Sequence, residues 1–256
     1  MVGVENAARE KLAVNIYEAR PEMTFMCIAC HGFRGNKDNG GRIVSLAQKI
    51  NRLKGGLVAF DFSGSGESEG DFARMTLTRQ TQDLQAVVDY TARCYELPLV
   101  LLGRSFGGST VLAGGVKDPR IKAFILWSTP IFLEETFATI MPQAYERLKS
   151  GQKTVIRDEA GDYLLYPDIA FDLARHDLTK DLQAVGDRPV LIVHAEDDEI
   201  VDKNNARYIR ENLNNATLHL EKEAGHRFLN KSEVREEVTI AWLKKVLDSG
   251  QIVNTI

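Results

Sequence analysis

The chain has 256 residues, 44% of them hydrophobic, which is enough to bury a sizeable core and fits one domain or one domain with an elaboration. A formal net charge of −4 leaves no basic footprint, which argues against nucleic acid or an anionic membrane surface as partner and favours small molecules or further copies of the chain, as in a homodimer. No window approaches the roughly 18 uninterrupted apolar residues of a membrane helix, and "MVGVENAAREKLAVN" lacks the apolar run of a secretory leader, so the expected location is cytoplasmic.

In chain order, "KLAVNIYEA" reads as an antiparallel strand, followed by the short apolar runs "TFMCIAC", "GLVAFDF", "PLVLLG", "AFILWS" and "PVLIVHA" and the more alternating "ATLHLE". Continuous rather than alternating apolarity marks strands covered on both faces. Between them, "GGRIVSLAQKINRL", "TRQTQDLQAVVDYTARCY" and "VREEVTIAWLKKVLDS" repeat apolar residues at three- and four-residue steps, the mark of crossover helices. The expected class is α/β, with a mostly parallel central sheet flanked by helices.

Three cysteines, an odd number, argue against a disulfide framework. Cys27 and Cys30 form a C-x-x-C, but inside a strand residues three apart point to opposite faces, so both are expected to be core residues rather than a redox or metal pair.

The stretch from Pro130 to Arg188 is far longer than the dozen or so residues that a crossover needs. Within it, "KTVIRDEAGDYLLY" reads as a β-hairpin turning at Glu159 to Gly161, with helices expected over "FLEETFATIMPQAYERLKS" and "AFDLARHDLTKDLQAV". It is too poor in apolar residues for a core of its own. The expected division is a core of residues 1–130 and 187–256 with a cap inserted at 131–186.

The chemistry centres on "LLGRSFGGST". A strand running straight into a helix crowds the residues two positions either side of the junction, and Gly103 and Gly107 supply room there. This G-x-S-x-G elbow lifts the hydroxyl of Ser105 clear of the sheet and leaves the N–H of Phe106 facing an oxyanion. Five letters alone fit a solvated turn serine equally well, so partners decide. A serine hydroxyl needs a base and a group to orient it, and the chain order after an elbow should be acid, then histidine. "LIVHAEDDEIVD" offers Asp197 and Asp198 after a strand, and "EAGHRF" offers His226 before the last helix. A second oxyanion donor belongs in the loop after an early strand, where "CHGFRGN" presents the N–H of Phe33, with His31 holding the loop.

With "HGF", "DFSGSGES", "GRSFGG", "HAEDDEIV" and "GHRF" in this order, the chain resembles the α/β-hydrolase superfamily from about Phe25 to the final helix. Together, "HGF", "FDFSGSGESEGDF" and the cap with its central hairpin make it most similar to the cinnamoyl and feruloyl esterases. The resemblance implies a serine carboxylic ester hydrolase for small esters such as hydroxycinnamoyl (feruloyl-type) esters, using a Ser-His-Asp triad and no metal or organic cofactor. The family spacing places Ala195, Asp198 and Val201 in register, which favours Asp198 over Asp197 as the acid. The residue before the serine is commonly His in these esterases and is Arg104 here. Thioesterase, small-peptide peptidase and acyltransferase activities share the scaffold, and a receptor that keeps only the pocket is the non-enzymatic alternative. Phe132, Phe137, Tyr145, Tyr163, Leu164 and Tyr166 of the insert, with Trp127, are candidates for contact with an aryl group or for packing of cap on sheet.

Overall fold

A computed structural model describes residues 1–18, 22–158 and 161–252. Its strands are β1 (Val2–Glu5), β2 (Lys11–Tyr17), β3 (Phe25–Cys30), β4 (Gly55–Phe60), β5 (Leu99–Arg104), β6 (Ile121–Trp127), β7 (Thr154–Asp158), β8 (Gly161–Leu165), β9 (Val190–Ala195) and β10 (Ala216–Glu221). Its helices are α1 (Ile43–Arg52), α2 (Leu77–Tyr95), α3 (Phe106–Gly115), α4 (Leu133–Ile140), α5 (Pro142–Lys149), α6 (Asp168–Leu173), α7 (Leu178–Asp181), α8 (Asn204–Glu211) and α9 (Ser232–Asp248). None of the described helices is long and apolar enough to cross a membrane.

Eight strands form one sheet in the order β1-β2-β4-β3-β5-β6-β9-β10. Only β2 runs against its neighbours, β1 and β4, and every other pairing is parallel. The antiparallel strand expected at "KLAVNIYEA" is therefore β2. The short β1 before it has no counterpart in the sequence reading, because four residues with one buried side chain carry too little periodicity.

Side chains of β3 alternate between two cores. Met26, Ile28 and Cys30 join the face covered by α2 and α3, while Phe25, Cys27 and Ala29 join the face covered by α1 and α9. Burial alone pushes the Cys27 thiol up to about 12, and burial with the neighbouring Cys27 pushes Cys30 up as well. Neither is a ready thiolate at neutral pH.

Between β6 and β9 lie α4 and α5, the antiparallel pair β7 and β8, then α6 and α7. The hairpin's Glu159 and the following Ala160 lie outside the described residues. The helix expected over "FLEETFATIMPQAYERLKS" is broken in two at Met141 (φ −145°, ψ 59°), because the residue before a proline is driven out of the helical region and Pro142 then starts α5. Phe137, Tyr145, Leu148, Leu165, Ile169 and Leu173 are buried in the same cluster as Met26, Ile28 and Leu101 of the sheet. The segment thus packs onto the sheet's core.

The order β4-β3-β5 places the chain's change of direction at the carboxyl ends of β3 and β5, with Cys30 level with Gly103. In open α/β sheets this is where ligands bind.

Candidate active site

Ser105 stands between β5 and α3 at φ 52° and ψ −127°, a conformation that costs a non-glycine residue about 1–3 kcal/mol. The turn is held by Ser105 N–H donating to the Trp127 carbonyl (2.7 Å) and by Gly108 N–H closing back on the Ser105 carbonyl (2.8 Å). The flanking glycines are dictated by contact. A Cβ at 103 would fall 2.4 Å from Gly108 Cα, and one at 107 would fall 2.4 Å from the His31 carbonyl oxygen.

His226, 7% exposed, sits in the loop after β10 with Nε2 3.0 Å from Ser105 Oγ. Its Nδ1 lies 2.9 and 3.0 Å from the two oxygens of Asp198. A carboxylate only accepts, so the neutral ring carries its proton on Nδ1 and leaves Nε2 to accept from the serine hydroxyl. Asp198 Oδ1 also accepts from the N–H groups of Ile200 (3.0 Å) and Val201 (2.8 Å). Burial works to raise the Asp198 carboxyl, but the His226 hydrogen bond and charge, the Val201 N–H and nearby His194 outweigh it and leave the group below its ordinary value.

Asp197 occupies a different place. Its Oδ1 accepts from the N–H groups of Ala224 (3.0 Å) and Gly225 (3.1 Å), and Glu199 accepts from the N–H of His226 (2.9 Å). These two carboxylates clamp the backbone that carries the histidine, whereas Asp198 alone of the pair reaches its ring.

His194, on β9 and fully buried, is a neighbour that sequence reasoning passed over. Its Nε2 donates to the Val201 carbonyl at 2.8 Å and so holds the loop that carries Asp198, whose Oδ2 lies 3.3 Å from the same nitrogen. Burial first of all holds its pKa below the ordinary imidazole value. The fully apolar run "PVLIV" leading into "HA" is the only available signal, a polar residue where a strand should be buried.

The N–H of Phe106 is the first in α3 and so has no acceptor within the helix. Phe33 follows Gly32, whose missing Cβ would lie 3.0 Å from Ser105 Cβ. Neither N–H has an acceptor among the described residues. His31 fixes this loop as expected: Nδ1 donates to the Gly32 carbonyl (2.9 Å) while Nε2 accepts from the Phe62 N–H (3.1 Å). Burial keeps the ring's pKa low and the ring neutral.

Aromatic rings gather around Phe33 and Phe106. Phe33 meets Phe137 (5.6 Å between centroids) and Tyr163 (5.8 Å), and Phe106 meets Phe137 (5.4 Å). Among the other aromatic candidates, Phe132 packs on Tyr208, Tyr145 hydrogen-bonds Glu134, and Tyr166 lies under Arg74. Trp127 faces the opposite side of the sheet, where its Nε1 donates to Thr239 (3.1 Å), so it cannot line the same pocket.

The model of the family described as serine aminopeptidase S33 matches residues 21–160, more than half of the chain. Among curated relatives, a 31.7 kDa protein of Escherichia coli from the traX-finO intergenic region is 28% identical over 103 residues, covering 39% of this chain and 35% of that protein. Palmitoyl-protein thioesterase ABHD10 of Mus musculus is 24% identical over 202 residues, covering 77% and 67%. The chain therefore spans about a third to two thirds of the length of these relatives. Among solved structures, ferulic-acid-bound Est1E from Butyrivibrio proteoclasticus superposes with TM-score 0.82 at 20% identity, covering 97% of this chain and 100% of that one. Mouse ABHD10 gives 0.77 at 19%, covering 97% and 98%. By its family model, its sheet and its neighbours, the chain is a member of the serine aminopeptidase S33 family and has the α/β-hydrolase fold.

Proposed function

We propose that the protein is a serine hydrolase of small carboxylic esters that works through an acyl-enzyme. The observation that carries this reading is the unbroken row Ser105 Oγ, His226 Nε2, His226 Nδ1, Asp198. Ser105 Oγ attacks the ester carbonyl as His226 Nε2 takes its proton, while Asp198 holds the Nδ1–H tautomer and stabilises the imidazolium. The N–H groups of Phe33 and Phe106 receive the developing oxyanion. The bond to the alcohol then breaks, and the leaving alkoxide takes the proton from His226. Water, activated by the same nitrogen, attacks the acyl carbon and releases the acid and the free serine.

Residues 131–186 act as a cap over this site. Phe137 and Tyr163 support that role, since Phe137 lies against both Phe33 and Phe106, and Tyr163 against Phe33. An aromatic roof suits a flat acyl group such as a hydroxycinnamoyl, and a structural neighbour binds ferulic acid. Thioester hydrolysis is the second reading, favoured by the mouse relative named as a palmitoyl-protein thioesterase. Measuring kcat/KM for hydroxycinnamoyl, short alkyl, long alkyl and thioester substrates beside an amino-acid amide decides between them. Highest turnover is expected with the hydroxycinnamoyl ester. Preference for a long-chain thioester moves the assignment to the second reading, and activity on the amide alone rejects both.

A further inference from the structure

Four arginines gather on the sheet face opposite the insert, beside the candidate active site but outside the machinery described above. Arg104 ends β5 on the side shared with Val100 and Leu102, Arg235 lies in the first turns of α9, Arg42 precedes α1, and Arg227 follows His226. Arg235 is 1% exposed, and its Nε and Nη1 are buried with no hydrogen-bond partner. Its guanidinium stacks 4.2 Å from the centre of the Trp127 ring and 5.1 Å from that of Phe228. The Nε of Arg104 is likewise buried without a partner. Among the described residues, Arg42 reaches only a carbonyl, that of Leu229 (3.1 Å).

Among the described residues, none of the four makes an ion pair. The carboxylates that act on Arg104 and Arg235, Asp198 and Glu236 respectively, are engaged elsewhere. Asp198 serves His226, while Glu236 binds Lys49 (2.8 Å) and Ser45 (3.0 Å). Burial pulls the Arg235 guanidinium down to about 9, and Arg104 and Arg42 add to the pull. Burial lowers Arg104 too, with Arg227 and Arg42 acting in the same direction. Around Arg104 and Arg235 positive charge is crowded and largely desolvated, with no ion pair among the described residues, an arrangement that is costly unless an anion joins it.

Arg104 also lines a narrow cleft, open to solvent, together with Trp127, Asn36, Asn39 and Lys37. The Lys37 ammonium is already matched by Asp61 (2.9 Å) and Glu67, so the unmatched charge in the cleft belongs to Arg104. The flat fork of a guanidinium suits two oxygens of one group, and asparagine amides are further donors.

We propose that this cleft is an oxyanion-binding site, in which Arg104 takes the carboxylate or phosphate group of a small ligand within the positive field of Arg42, Arg227 and Arg235. The site is separate from the reacting atoms, because the Arg104 side chain leaves β5 on the α1 and α9 face while Ser105 Oγ stands at the strand's end. Binding is read without turnover, so the proposal stands or falls apart from the reaction proposed above.

The test titrates the full chain with inorganic phosphate and, separately, with acetate, following heat and the fluorescence of the tryptophans, one of which lies under Arg235. Sodium chloride at matched ionic strength controls for general screening. Saturable binding of phosphate or acetate is expected, and the anion that binds more tightly identifies the class. Loss of a charge-assisted contact in Arg104→Gln should weaken it about tenfold or more. Arg227→Gln, at an exposed position where folding is not at risk, should weaken it by a smaller factor. Absence of saturation with both anions, a response that sodium chloride reproduces, or a dissociation constant unchanged in both variants overturns the proposal.

Discussion

At the scale of single residues, two neighbouring aspartates do different work because their oxygens meet different hydrogens. Asp198 orients a ring and, on the proposed mechanism, offsets the charge that the ring acquires. Asp198→Asn keeps the shape but favours the wrong tautomer, and should cut kcat by about 10⁴, with Ser105→Ala cutting it by about 10⁶. Asp197 only accepts from backbone N–H groups, a task that an asparagine oxygen performs as well, so Asp197→Asn should retain activity within about tenfold. Steady-state kinetics on the three variants check the assignment. A severe Asp197→Asn beside a near-silent Asp198→Asn would reverse it. From sequence the choice between these residues rested on family spacing, because both sit in one loop and nothing in their order says which faces the histidine. His194 was harder still. Its partner is a carbonyl seven residues ahead, and such a contact exists only once the loop has folded back on its strand.

Elements explain why the elbow tolerates so little change. In Gly107→Ala the new methyl would press on the carbonyl oxygens of His31 (2.4 Å) and Cys30 (2.5 Å), both backbone atoms at the end of β3. Neither can swing away as a side chain would, so either β3 or the first turn of α3 must shift. A loss of about 1–3 kcal/mol or more is expected from chemical denaturation, with activity falling further than stability because the same shift displaces Phe33. The steric need was legible in the sequence, since glycine two positions either side of a serine at a strand end has one familiar cause. Strands and long helices were legible for a related reason, their apolar periods being set by burial on one or two faces. The insert was less so. Its hairpin showed through alternating residues, but its helices are short and cut by Pro142, and the rings that meet Phe33 could not be told from those that merely pack. The alternation within β3 also sets thiol chemistry. Cys27 and Cys30 point into separate cores with raised pKa values, while Cys94 is exposed on α2. Iodoacetamide at pH 8 should add one group per native chain, at Cys94, and three after unfolding, as read by intact mass. Rapid native modification of Cys27 or Cys30 would contradict the buried placement.

Across the whole molecule, two imidazoles besides His226 are buried in neutral form among the described residues, His31 under the loop that carries Phe33 and His194 behind Asp198. Burial, the leading cause for each, holds their folded pKa values below the ordinary 6.5. The unfolded chain therefore binds protons first as pH falls, and each group withdraws stability from about pH 6.5 downward until its own folded value is reached. Asp83 acts in the opposite sense. Burial raises its carboxyl, so its contribution is present in acid and is lost as pH rises through its folded value. A raw stability curve mixes these groups, and a difference between two proteins that share Asp83 separates them. In His194→Gln, the amide can still donate to the Val201 carbonyl but no longer titrates. Unfolding free energies from urea at pH 5.0, 6.0 and 7.5 should fall more steeply toward acid in the natural chain than in this variant, by up to about 1.4 kcal/mol per pH unit. Parallel curves would mean that His194 takes up its proton as readily folded as unfolded, which its fully buried position between a carbonyl and the acid does not allow.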